Sequence, residues 1–316
     1  MINRFLSYYY NAAILQEYGL LKGASTYAGL VSCPLMANER LYDTIDRRWS
    51  GISQLLQDLF YRPDGPYSGP HPLWSSTKAK IPDPQYWLNT TTSHNLSPEA
   101  KIWLMIVHRM TGSGASYVAN HGYHNSVIPS LLAAIRRPMT CFSDMSYALT
   151  LHRGPMFTSK ACQIPAFPKF TGVDLQGMSR GQYWLAHYGV DLANHIWYEL
   201  YQGVDTHKAL LQSMIDFNVN NGHKKFWFQY SLIAADVSDY LDGFIDPASP
   251  VHYGTASKKM LQMMAKPGQS LDDVMQSLVD ITGAYPKNLE HVLCDFSKYL
   301  KGEGYGRKPS KHVGIV

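Results

Sequence analysis

The sequence predicts an all-α fold, mainly helical, on three observations. Apolar residues recur at helical spacing in window after window, alternating strand-like runs are hard to find, and the prolines gather in two stretches that resist helix. Each periodic window implies one helix with one buried stripe.

The first stripe is Ile2, Phe5, Leu6 and Tyr9, and the second is Trp49, Ile52, Leu56 and Leu59. Residues 62–86 follow, with prolines at 63, 66, 70, 72, 82 and 84, and read as a loop or lid. The next helix has a marked start. Ser97 is its N-cap, Pro98 takes the first helical position, and Glu99 meets the positive end of the dipole. Its stripe is Trp103, Ile106, Val107 and Met110. Residues 154–177, containing Ile164-Pro165-Ala166-Phe167-Pro168, form the second loop. Ser179-Arg180-Gly181-Gln182-Tyr183-Trp184 opens a long aromatic helix that runs through His187 to Ala193, Ile196, Trp197 and Leu200. The carboxyl-terminal third repeats the pattern in Phe226, Tyr230, Ile233 and Val237, in Leu271, Val274, Leu278 and Ile281, and in Leu289, Val292, Phe296 and Leu300. A helix ends near Leu241 and another runs from Thr255 to Met264.

The organisation expected is a helical region over 1–96 with its proline-rich loop, a helical catalytic region over 97–300, and a basic tail over 301–316, all within one compact domain. Lys301, Arg307, Lys308 and Lys311 in that tail read as a solvated end able to brush a phosphate backbone.

Composition excludes several classes. The four cysteines, Cys33, Cys141, Cys162 and Cys294, lie far apart without a C-x-x-C pair, so neither a zinc cage nor a disulfide framework is expected. Reduced thiols in a cytoplasm are the simplest reading. No apolar run approaches the length of a membrane span, so no membrane partner is expected. A net charge of +4 permits a polyanionic partner without demanding one. The 22 tyrosines and seven tryptophans can fill a core or stack on bases.

The densest polar cluster is His108-Arg109-Met110-Thr111-Gly112-Ser113-Gly114-Ala115-Ser116-Tyr117, followed by His121-Gly122-Tyr123-His124-Asn125. Gly112 and Gly114 free the backbone to turn and expose N–H groups, Thr111, Ser113 and Ser116 add hydroxyls, and Arg109 adds a planar charge. That combination suits a phosphate or a carboxylate. It equally suits a helix C-terminus closed by a Gly-Ser turn. Neither G-x-x-x-x-G-K-[ST] nor G-x-G-x-x-G occurs, which argues against a nucleotide kinase. His121 and His124 lack the companions of a metal site, and the zinc deaminase signature is missing, so no metal is expected. A neutral imidazole there would accept a proton.

Two further segments carry candidates. Asn220-Asn221-Gly222-His223-Lys224-Lys225 is a basic turn before a helix, fit for a phosphate contact. Asp246-Pro247-Ala248-Ser249-Pro250-Val251-His252-Tyr253-Gly254 places Asp246 at an inter-helix junction, as a functional carboxylate or as an ordinary turn cap. Arg180 could clamp an anion at its helix start, or lie solvated in the first turn.

Taken together, Arg109-Met110-Thr111-Gly112-Ser113-Gly114-Ala115-Ser116, His121-Gly122-Tyr123-His124-Asn125 and Ile245-Asp246-Pro247-Ala248-Ser249-Pro250-Val251-His252-Tyr253-Gly254 resemble a bacteriophage family that hypermodifies thymine. These are the amino acid:DNA transferases, also labelled α-glutamyl/putrescinyl thymine pyrophosphorylases, and the resemblance spans about 97–265. The family is related to helix-hairpin-helix DNA glycosylases, so the resemblance implies a helix-hairpin-helix glycosylase-like bundle with long proline-rich loops. A Gly-His-Lys-Lys turn, a helix, then Ile-Asp before Val251 follows the glycosylase order, here with prolines inserted after the aspartate.

The implied reaction is attack by the amine of a free amino acid, glycine among the candidates, on the 5-methylene of pyrophosphorylated 5-hydroxymethyluracil in double-stranded DNA, with pyrophosphate leaving. The resemblance assigns the pyrophosphate to Arg109, Thr111, Gly112, Ser113, Gly114, Lys224 and Lys225. Asp246 or His121 is the proton acceptor, and Arg180 takes the amino acid's carboxylate. His124, Asn125, Ser249, His252 and Tyr253 are the remaining substrate contacts. No cofactor is implied beyond the free amino acid, although a divalent cation could assist the pyrophosphate. The setting implied is the cytoplasm of a phage-infected bacterium. Two rivals remain: a base-excising glycosylase using Asp246, and a non-enzymatic DNA-binding protein gripping phosphate.

Overall fold

The computed structural model describes residues 1–17, 96–111, 142–153 and 165–300. The second sequence stripe (Trp49 to Leu59), the loop over 62–86 and the basic tail lie outside them. Among the described residues the protein is helical and contains no strand. The helices are α1 (Ile2–Glu17), α2 (Pro98–Thr111), α3 (Phe142–Leu151), α4 (Arg180–Ala186), α5 (Tyr188–Tyr201), α6 (His207–Asn220), α7 (Trp227–Tyr240), α8 (Thr255–Met264), α9 (Leu271–Thr282) and α10 (Pro286–Leu300).

Local signals fix the helix ends. The Ser97 hydroxyl accepts the Ala100 N–H at 3.3 Å, the capping role its sequence position implies. Thr206 caps α6 through Ala209 N–H. Ser270 and Asp273 form a reciprocal capping box on α9, and Gly283 closes that helix in the left-handed region at φ 69°. One expectation is corrected. The helix opened by Ser179 is interrupted at His187, where φ of −116° and ψ of −73° stand off the ideal helix values and divide it into α4 and α5.

Two apolar clusters hold the chain. The larger gathers Trp103, Trp184, Leu192, Ile196, Met214, Tyr230 and Ile233 from α2 and α4 to α7. The smaller joins Phe5, Tyr8 and Tyr9 of α1 to Met260, Leu278, Leu289 and Phe296 of α8 to α10. Here α2 departs from the sequence reading. Instead of one stripe, every residue from Ile102 to Thr111 is buried, and α5 and α7 pack against the helix. The indole of Trp103 donates to the Leu185 carbonyl at 2.9 Å, so its one polar atom is satisfied inside the core.

The clusters meet along a seam. On one side stand α6 and α7, on the other α10, with the 241–254 connection threading between them. No helix among the described residues is long and apolar enough to cross a membrane.

Candidate functional site

A cleft of about 40 Å³ opens on this seam. At roughly 10 to 15 Å³ per water it holds about three waters, the bulk of a very small molecule. Leu211, Ala234, Ala235 and Val251 supply its apolar walls, and His252 and Glu290 are polar groups on its lining. His207, Lys287 and His291 also line it.

Each polar group is positioned by its own element. Gly222, at φ 73°, makes the tight turn between α6 and α7 that only glycine adopts readily. Asn218 braces that turn by donating to the Lys224 carbonyl at 2.9 Å, and the His223 N–H bonds the Asn218 carbonyl at 2.8 Å. The turn leaves Lys224 and Lys225 exposed, with Trp227 and Phe228 exposed directly behind them at the start of α7. The Trp227 ring stacks on His252, with centroids 5.2 Å apart and planes 22° from parallel.

Glu290 reaches the cleft from α10. Its Oε1 accepts the Gly254 N–H at 3.1 Å and the Ser257 hydroxyl at 2.7 Å, which leaves Oε2 without a hydrogen bond among the described residues. Lys287, one turn earlier, donates to Asp239 at 2.5 Å and to Ser238 at 3.1 Å, so a carboxylate already answers its charge. Across the cleft the Ser249 hydroxyl accepts the His207 N–H at 3.1 Å and lies 2.7 Å from Nδ1 of the same ring.

Burial holds the His252 imidazole below its ordinary value; Glu290 works against this, and Lys208 and Lys258 reinforce it. The ring therefore favours its neutral form near pH 7, with one nitrogen able to accept and the other carrying the proton. Burial pushes the Tyr253 hydroxyl up, and its 2.6 Å bond to Asp272 adds to the effect, so it stays protonated and donates. That same bond holds Asp272 low, with Lys208 assisting.

The structure distributes the sequence candidates unevenly. His252 lines the cleft, Ser249 bonds His207 of its lining, Tyr253 bonds Asp272, and Lys224 and Lys225 lie in the turn just before Trp227. Asp246 is exposed at the junction, where its Oδ1 accepts the Ala248 N–H at 2.9 Å and its carbonyl accepts the Ser249 N–H at 3.0 Å. It shapes the turn that presents Ser249, and it does not line the cleft. Arg180 is exposed in the first turn of α4 and also lies off the cleft lining. Arg109 is buried within α2, its Nε and Nη2 both 2.6 Å from the Asp236 carboxylate. Thr111 is buried too, its hydroxyl donating to the Val107 carbonyl at 2.6 Å. Gly112, Ser113, Gly114, His121, His124 and Asn125 lie outside the described residues.

Sequence reasoning missed His207, Lys287, Glu290 and His291. Glu290 sits among polar residues of an amphipathic helix, with no local spacing to link it to residue 252. Only the tertiary contact with the Gly254 N–H could have singled it out. Among the described residues no group of three or more histidine, cysteine, aspartate or glutamate side chains could hold a metal ion.

No family model matches this chain, and neither a curated protein nor a solved structure shows significant similarity to it.

Proposed function

We propose that the protein modifies thymine in DNA, transferring an amino acid through its amine to pyrophosphorylated 5-hydroxymethyluracil. The observation that carries the reading is one juxtaposition: two exposed lysines, an exposed Trp227 ring stacked on His252, and a very small polar cleft beside them. Lysines at a tight turn suit a phosphate backbone, an exposed ring suits a base lifted from the stack, and a three-water cleft suits a small nucleophile.

The order of elements supports the glycosylase-like part of the reading. A glycine-turned hairpin of α6 and α7 is followed by a connection carrying Ile245 and Asp246. A target base would leave the duplex at a cost of a few kcal/mol, which stacking on Trp227 offsets by about 1 to 3 kcal/mol. The nucleophile's nitrogen then forms a bond to the 5-methylene carbon. The carbon–oxygen bond to pyrophosphate breaks, its electron pair leaving on oxygen, and the ammonium proton passes to a basic group. Neutral His252 is a fitting acceptor, and Lys224 and Lys225 can answer the charge of the leaving pyrophosphate.

Asp246 favours a second reading. Its Oδ2 carries no hydrogen bond among the described residues, and an exposed carboxylate after such a hairpin could stabilise the sugar cation of base excision. One experiment separates the two: incubate the protein with pyrophosphorylated 5-hydroxymethyluracil DNA and mixed amino acids, then weigh the nucleosides. A gain of one amino acid residue with released pyrophosphate supports transfer. Abasic sites support excision, and unchanged DNA leaves a binding protein.

A further inference from the structure

We infer that the cleft between α7, the 250–254 connection and α10 is a binding site for a small primary ammonium compound, seated by Glu290 and His252. The inference rests on the proposed transfer only in naming that compound as the nucleophile; the site itself stands on geometry.

The chemistry of the lining selects a cation. Glu290 is anchored through Oε1 by Gly254 and Ser257, which fixes its direction and leaves Oε2 to accept. His252 makes no hydrogen bond among the described residues, and its ring is oriented by the stack on Trp227. The lysine on the lining, Lys287, is matched by Asp239, so it adds little net attraction for a carboxylate. The positive charges near His252 are Lys208, itself bonded to Asp272, and exposed Lys258. A carboxylate oxygen and a neutral imidazole are both acceptors, and an ammonium group offers three donors.

Size and walls narrow the class. Space for about three waters admits an ammonium head with one or two carbons, and any bulkier remainder has to lie outside the mouth. Ala234, Ala235 and Val251 are apolar and suit a methylene. Glycine fits if its carboxylate points out through the open mouth, with Lys208 and Lys258 as the charges that act on His252.

The test follows the His252 imidazole resonance of the full-length protein at pH 8 while ethylammonium, glycine or acetate is added at constant ionic strength. Ethylammonium and glycine are expected to give a saturable shift, and acetate none. Glu290→Gln, which keeps the acceptor for Gly254, and Ala235→Leu, which fills the cleft, are each expected to weaken the ammonium response at least tenfold. An equal response to acetate, no saturable shift, or a shift that survives both substitutions would overturn the site. Because acetate and ethylammonium are compared on the unaltered protein, a variant that fails to fold does not decide the matter. A saturable ammonium shift without amino acid transfer to DNA sinks the transferase reading and leaves the site standing. Transfer at full rate in both variants sinks the site and leaves the reading.

Discussion

Arg109 and Asp236 face each other inside the core as a two-pronged pair, Nε to Oδ2 and Nη2 to Oδ1, both at 2.6 Å. The pair ties α2 to α7, the helix whose first turn carries Trp227. Removing one member leaves a buried charge uncompensated, at a cost of about 3 to 5 kcal/mol. Asp236→Ala and Arg109→Ala are each expected to lose stability on that scale in urea unfolding. The double variant Arg109→Met with Asp236→Leu is expected to recover most of it, since apolar side chains of similar size replace the pair. An Arg109→Ala protein of unchanged stability that fails only on pyrophosphorylated DNA would move the guanidinium back to the substrate.

His223 and His252 both titrate below the ordinary histidine value because burial disfavours their charged forms. A depressed folded value means the unfolded chain binds more protons in the window below about 6.5. Stability is therefore full above that value and falls as pH drops through the two depressed values. The His223 ring packs edge-on to Tyr188 at 4.4 Å and has no hydrogen bond to either nitrogen among the described residues, so His223→Phe can keep the packing. Denaturation midpoints between pH 7.5 and 5 are expected to fall less steeply in that variant. An unchanged slope would show that His223 binds its proton equally in both states.

Trp227 and the hairpin lysines answer different questions about DNA. Trp227→Ala is expected to weaken single-stranded or flipped-base binding by about 1 to 3 kcal/mol, at little change in salt dependence. Replacing Lys224 and Lys225 together is expected to flatten the slope of log affinity against log salt by about two. Fluorescence anisotropy at several salt concentrations reads both effects, and an unaltered slope would remove the lysines from the interface.

Gly254 offers a finer probe of Glu290. A Cβ there would stand 3.2 Å from Oε1, while the backbone at φ −63° accepts any residue. Gly254→Ala is expected to shift the carboxylate by a few tenths of an ångström and weaken amine binding severalfold, with stability changed by about 1 kcal/mol or less. Wild-type affinity would show that Glu290 can move without consequence.

Helical periodicity carried most of the fold. The stripes beginning at Ile2, Phe226, Leu271 and Leu289 each became a helix, and the bounds read for α8 are those observed. The capping signal at Ser97 also acts as read, because its partner lies within three residues; Ser179 caps its helix in the same way, through Gln182 N–H, without having been read as a cap. The interruption at His187 was not legible, because apolar spacing continues through it. Of the cleft lining, His252 was legible as part of a polar run beside prolines, whereas Glu290 and His207 are far off in sequence and join it only through the fold. Arg109, read as a phosphate or pyrophosphate contact, pairs with Asp236, a partner 127 residues away that no local spacing announces.

The seam between the two apolar clusters has a consequence for how the chain comes apart. Each cluster has its own set of buried residues, and the polar ties Lys287 to Asp239 and Lys208 to Asp272 bridge between them. Such an arrangement favours two cooperative unfolding units, the carboxyl-terminal helices with α1 opening ahead of the larger bundle. A molecule lodged between them would touch both units and weld them into one, so amide protons of α10 would exchange at the pace of those in α7.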